Sequence, residues 1–302
     1  MNTSYLTVAE YKRAPTGTDV ANLDYYTQST DTTAQDAELA NVIARASAWI
    51  DNYCELPNGL AASENTETER TWLTRDGWLR IRPKNIPIIS LQSLQWRVSP
   101  ASAWTPVDIS NVQTFPRSFE TQMWFPYMEG TTLTIGGSFA FPINAPYTPF
   151  YMPPQQAAQI EDLQLTVQYS YINGYPNTML VGAVAAGANS ITVDDATGIV
   201  EGSTMTIYDG GNTEKVTASS VSGSHVYLTR QLIFDHSDGI AVSAIPADVK
   251  QACILIVNYA LKERGVNSIT MQGVQNPLMQ KYDDVRDIEI AKDILRKYRR
   301  VV

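Results

Sequence analysis

Histidine and cysteine are nearly missing from this chain, with two of each in 302 residues. Two widely separated cysteines cannot build a disulfide-dense secreted scaffold, and they fit a reducing compartment. Cations are scarce relative to acids: 22 Lys+Arg against 31 Asp+Glu give a formal net charge of −9. That balance excludes a protein whose main task is to wrap duplex DNA through its phosphates. No apolar run approaches the ~18 residues of a membrane-spanning helix. The start, MNTSYLTVAEYKRA, has no apolar signal core, so neither export nor membrane insertion is expected. Phosphate-cradling glycine motifs, Gly-x-Ser-x-Gly elbows and His-Glu-x-x-His pairs are also missing. Asp209-Gly210-Gly211 has no helix signal or Lys-Ser/Thr after it and reads as a β-turn.

What is present is an ordinary globular composition, 44% hydrophobic and 18% charged, enough for one elaborate domain or two smaller ones. Thr7 and Glu10 stand at capping-box spacing before a short helix that Pro15 to Gly17 stops. Over 36–55, Leu39, Val42, Ile43, Ala46, Ile50 and Tyr53 recur at helical spacing, with Pro57 and Gly59 as the stop. Trp49 and Cys54 read as core on this helix. From residue 70 the period changes to two. Trp78, Arg80 and Arg82 alternate with Leu79 and Ile81 around Asp76-Gly77, which predicts a hairpin. Ile86 to Trp96 continues as a strand that Pro87 opens, and strands extend over 70–175.

Five prolines crowd 141–154 together with Phe141, Tyr147, Phe150 and Tyr151, which predicts an extended arm or long loop. Its aromatics could hold a neighbouring subunit or pack back on their own domain. Residues 178–245 are rich in small and β-branched residues, punctuated by Gly and Asp at roughly 8–12-residue intervals. This pattern predicts an inserted all-β sandwich or barrel. Helices resume at 246–264, opened by Pro246 and closed by Gly265, and at about 282–298. The fold class is therefore α+β: a helical core with hairpin and sheet elements over 1–177 and 246–302, plus the β module.

The chemistry-bearing candidates are few. Asp235-His236-Ser237-Asp238-Gly239 has oxygen ligands at short spacing but falls short of a calcium loop, so a polar turn is the expectation. A Cys–His nucleophile would need Cys54 or Cys253 beside His225 or His236. The cysteines belong to buried helical faces and the histidines to the β module. No catalytic residue, cofactor or metal ligand is expected, although 31 acids leave a carboxylate-based hydrolase as a rival reading. Another rival is a carbohydrate-binding or adhesion protein using Tyr208, Tyr227 and Phe234 of the β module as sugar platforms. Charge is uneven: residues 1–70 hold four Lys/Arg against eleven Asp/Glu, whereas 296–302 hold four cations and no acid. The basic end either complements a helix dipole or docks on an acidic partner.

Three pieces in order make the chain resemble the head-to-tail connector (adaptor, or head-completion) proteins of long-tailed double-stranded DNA bacteriophages. They are Ala-Ser-x-x-Ile-Asp-x-Tyr-Cys ending at Cys54, Arg-x-Arg-Pro at Arg80 to Pro83, and Pro-x-Asp-Val-Lys-x-Ala from Pro246. The resemblance covers about 1–98 and 160–302; the longer 100–159 segment and the β module depart from it. It implies a non-enzymatic virion protein at the head–tail interface, assembled in the host cytoplasm as a dodecameric ring beneath the portal. Implied partners are further copies of the chain, the portal, and the next connector, stopper or tail-terminator component. Genome DNA would pass through the lumen without specific binding, which an acidic surface favours by repulsion. On this reading Arg296, Lys297, Tyr298, Arg299 and Arg300 contact the portal. Phe141, Tyr147, Phe150 and Tyr151 contact neighbouring subunits.

Overall fold

The computed structural model describes residues 4–16, 20–23, 30–73, 78–122, 164–263 and 277–300. The chain divides into two compact units, one of residues 1–64, 84–89 and 172–302 and the other of 65–83 and 90–171. The fold is α+β.

The described residues of the first unit include four α-helices: α1 (Val8–Arg13), α2 (Thr32–Cys54), α3 (Ala247–Glu263) and α4 (Pro277–Leu295). On α1 both halves of the capping box form. Thr7 Oγ1 accepts the Glu10 N–H at 3.2 Å, and Glu10 Oε2 accepts the Thr7 N–H at 2.7 Å. α2 starts earlier than its apolar stripe indicates, because the Asp31 side chain accepts the Thr33 N–H and caps the end. It also stops before Pro57. Glu55 turns left-handed (φ 58°), the Leu56 N–H returns to the Asp51 carbonyl at 3.1 Å, and Leu56 goes under cover. α2 packs on α3 and α3 on α4 around Leu39, Ile43, Ile50, Val249, Val257, Leu261, Ala291 and Leu295. No helix among the described residues is long and apolar enough to cross a membrane.

The same unit contains a six-stranded antiparallel sheet built from β8 (Asn177–Met179), β9 (Ser190–Thr192), β10 (Thr204–Ile207), β11 (Glu214–Ser222), β12 (His225–Leu228) and β13 (Ala241–Ser243), in the order β8-β13-β10-β11-β12-β9. Its outer strands meet through a Leu180–Val193 bridge and the bonds Val181 N–H to Thr192 O (2.9 Å) and Asp194 N–H to Met179 O (3.0 Å). The sheet thus curls back on itself and satisfies its edges. Leu180, Ile191, Met205, Ile207, Val226 and Val242 fill its interior. This sheet, read from the sequence as an insertion, belongs to one compact unit with the helices. Gly174 leads into it at φ 90°, and a Cβ there would stand 2.6 Å from the Ala61 carbonyl oxygen.

The described residues of the other unit are mainly β-structure. Seven strands of the chain, β1 (Ser63–Trp72), β2 (Trp78–Ile81), β3 (Ile88–Arg97), β4 (Thr105–Pro106), β5 (Gln113–Phe115), β6 (Ser118–Gln122) and β7 (Gln164–Asn173), form sheets β1-β7-β3-β4 and β2-β6-β5. Along β7, Leu165, Val167, Tyr169 and Tyr171 are buried in strict alternation. Phe119 of β6 meets Tyr169 and Tyr171 edge-on, each at 5.8 Å between centroids. Glu67 accepts both tyrosine hydroxyls, at 3.2 and 2.5 Å. Of the expected hairpin around Asp76-Gly77, the described residues show an antiparallel Leu73–Leu79 bridge. β2 also pairs with β6, from Trp78–Gln122 to Ile81–Phe119. Leu79 and Ile81 face the interior as their alternation requires, and Phe119 completes that interior from a distant strand.

Candidate functional site

The C-terminal residues singled out for partner contact follow α4 as one 3-10 turn, Arg296–Tyr298. They lie against the end of α2 and the start of α3. The Tyr298 hydroxyl donates to Asp248 Oδ1 at 2.7 Å, and Lys297 pairs with the other oxygen of the same carboxylate. Arg299 pairs with Glu55, its Nε donating at 3.0 Å, and the Arg300 N–H donates to the Cys54 carbonyl at 2.9 Å. Tyr53 Oη donates to the Lys292 carbonyl at 3.2 Å, which ties α4 down one turn earlier. Burial opposes charge on Asp248, yet the bonds from Lys297, Tyr298 and the Val249 N–H outweigh it and hold the carboxyl below its ordinary range. Burial and the bond to Asp248 push the Tyr298 phenol up. Arg296, Lys297 and Arg299 remain exposed and Tyr298 and Arg300 half-buried, so the turn is anchored yet keeps a cationic outer side.

The N-terminal segment is held from the same helices. Tyr5 N–H donates to Ser47 Oγ at 3.0 Å. Its hydroxyl donates to Asp51 and accepts the Leu60 N–H at 2.8 Å. Burial raises the Asp51 pKa against the pull of those bonds. Lys250 Nζ, buried on α3, donates to Glu10 at 2.6 Å and stands 4.0 Å from the centre of the Tyr208 ring. Its pKa is lowered by burial. Tyr11 Oη donates to Asn258 at 2.5 Å. Burial pushes the Cys54 thiol up to about 12, with Asp51 adding to it. It does the same to Cys253, also to about 12.

A third polar cluster lies in the β sheet. His236 is buried, with Nε2 2.8 Å from Glu214 and Nδ1 3.3 Å from Asp209. Glu214 also accepts the Ile233 N–H at 3.0 Å and the Phe234 N–H at 3.2 Å. Burial opposes ionisation of Glu214, but these bonds and the imidazole hold its carboxyl below the ordinary range. Asp235 and Asp238 accept the N–H groups of Ala186 and Gly182, both at 2.7 Å. The 235–239 stretch is thus a bonded turn, and no metal-holding group of three occurs among the described residues. His225, exposed on β12, contacts Thr192 rather than a cysteine.

The sequence-predicted residues are therefore dispersed. Arg296 to Arg300 sit together at the α2–α3 junction. Tyr208 is half-buried with Lys250 Nζ over its ring, whereas Tyr227 and Phe234 face solvent. Phe141, Tyr147, Phe150 and Tyr151 lie outside the described residues, as do the Asp76-Gly77 turn and Gly265. The sequence reading missed Glu10, Tyr5 and Asp51 as anchors. Its one available signal was Lys250, a charge at i, i+3, i+7 spacing with buried Cys253 and Val257.

No family model matches the chain, and no curated protein matches it. Among solved structures, the neck of an empty GTA particle computed with C6 symmetry is similar over 99% of this chain and 95% of that chain, at 13% identity and a TM-score of 0.37. The Gp54 tailspike of Acinetobacter baumannii bacteriophage AP22, in complex with A. baumannii capsular saccharide, is similar over 23% of this chain and 14% of that chain, at 21% identity and a TM-score of 0.21. Both similarities are distant, and the functional reading below rests on this chain's own residues.

Proposed function

We propose that the chain is a non-enzymatic structural protein of a tailed-phage-like virion, an adaptor whose copies form a ring between the portal vertex and the tail. The observation that carries this reading is what the motif residues do. Ser47, Asp51, Tyr53 and Cys54 of the first motif, and Asp248 and Lys250 of the third, all bind the chain's terminal segments at residues 5–10 and 292–300. The resemblance thus falls on the residues that mount the two ends on one helical scaffold, as an assembly module needs. Thiols pushed to about 12 are protonated at neutral pH and poor nucleophiles, which favours a structural over a catalytic role. The exposed cations Arg296, Lys297 and Arg299 form the portal-facing surface, and the acid excess lets DNA pass through the lumen without being held.

The test is assembly with the portal protein encoded by the same genome, followed by sedimentation and electron microscopy. The intact chain should form rings on the portal. Arg296→Glu with Arg299→Glu should stay folded and lose at least about tenfold in portal affinity. A chain ended after Leu295 should also fail to bind, with lower stability because Asp248 and the Cys54 carbonyl lose their partners. Wild-type portal binding by the charge-reversed variant would remove the tail from this role, and absence of any ring or portal complex would sink the adaptor reading.

A further inference from the structure

Ile233 is 71% exposed and Phe234 37% exposed, at the tip of the loop between β12 and β13. Solvent-facing apolar residues are common singly, but this pair is held in place by buried machinery. The Glu214 carboxylate accepts both of their N–H groups and binds His236. Leu232 and His236, on either side, are buried, and His236 exchanges two backbone bonds with Val184 at 2.8 and 2.9 Å. A rigid apolar tip loses little entropy when it docks. The same unit carries a complementary feature. Among the described residues, α3 and α4 border a hollow of about 420 Å³ whose lining combines Ile254, Leu255 and exposed Ile290 with polar Thr16, Gln251 and Asn258. Net charge at the two places is opposite: exposed Asp235 and Asp238 outnumber Arg230 around the tip, whereas at the hollow Asp287 pairs with Lys262 and leaves Arg286 as the excess cation.

We propose that the Ile233–Phe234 tip of one copy seats in the α3–α4 hollow of the next copy. The contact is heterologous, with a different patch on each side, which is the type that closes into rings. The inference rests on the ring reading and assigns its subunit interface to described residues of the first unit.

The experiment uses the full chain and mass photometry, with thermal unfolding as the folding control. Ile233→Ser with Phe234→Ser removes the tip, and Ile290→Asp spoils the hollow; all three positions are exposed, so both variants should melt near wild type. Each alone should self-associate at least about tenfold more weakly than wild type. Mixed together they should form one-to-one dimers, since one intact tip meets one intact hollow, and should not grow further. Wild-type assembly by either variant overturns the inference while leaving the ring reading in place, whatever that variant does with the portal or with glycans. Monomers in the mixture overturn it as well. If wild type itself never self-associates, alone or on the portal, the ring reading falls and this interface with it.

Discussion

His236 and Glu214 meet although 22 residues separate them, and Asp209 comes from a third place in the chain. The His236 imidazole faces a carboxylate through each of its nitrogens. Glu214 in turn is charged and internal, so removing its charge leaves His236 and two N–H groups short of an acceptor. Glu214→Gln should lower the free energy of unfolding at pH 7 by about 2–3 kcal/mol in urea titrations. The pH dependence follows from the lowered pKa of this group. The folded chain binds the Glu214 proton less tightly than the unfolded chain, so the contribution is complete above the ordinary value of 4.5 and is lost as pH falls through the lower folded value. The gap between wild type and variant should therefore narrow only below that range; a constant gap down to pH 3 would place the stabilisation elsewhere. Nothing local in Asp235-His236-Ser237-Asp238 announces this cluster. The sequence shows a polar turn there, which it is, while the partners that bury the histidine arrive through the pairing of β10, β11 and β13.

Helix α1 is only six residues long, too short to persist alone, and docking keeps it in place. Glu10 has two duties: one carboxylate oxygen closes the capping box and the other receives buried Lys250. Breaking a buried pair on one side leaves an uncompensated charge, so Lys250→Met alone should cost about 3–5 kcal/mol. Lys250→Met combined with Glu10→Leu should cost less than the sum of the singles, retaining about 1 kcal/mol for the lost cap. A double-mutant cycle by urea denaturation measures this, and additive losses would show that the two side chains act independently. At this scale much was legible. The Thr7–Glu10 box, the stripes of α2 and α3, and the strands at 190–193, 204–208, 214–217 and 226–229 all follow from local spacing and appear at those places. The misreadings came where a distant group decides. Asp31 extends α2, and β6, distant in sequence, pairs with β2 beside the Leu73–Leu79 bridge. The C-terminal cations were visible as a cluster. Their anchors Asp248 and Glu55 were not, because only the packing of α4 against α2 and α3 brings them within reach.

Over the whole molecule, the uneven charge and the two units bear on different behaviour. The acid excess of the first 70 residues is partly consumed internally, by Lys12 on Asp36, Arg45 on Glu38 and Lys250 on Glu10, while the tail cations are met by Asp248 and Glu55. Each compact unit has its own apolar interior, with Leu94, Trp96, Phe119, Leu165, Val167, Tyr169 and Tyr171 buried in the β unit. A chain with two such interiors is a poor candidate for all-or-none unfolding. The residues supply separate probes for the two parts. The four α-helices among the described residues belong to the first unit, so their far-UV circular-dichroism signal follows it. Among the described residues, Trp72, Trp78, Trp96 and Trp104 fall in the second unit and only Trp49 in the first, so their fluorescence follows the second. The second unit is the smaller, which favours its earlier loss. In urea the fluorescence midpoint should precede the circular-dichroism midpoint, and Glu214→Gln should move the second without moving the first. Coincident curves that shift together in the variant would make the chain one cooperative body, with the strands that run past residues 64, 89 and 171 transmitting the coupling.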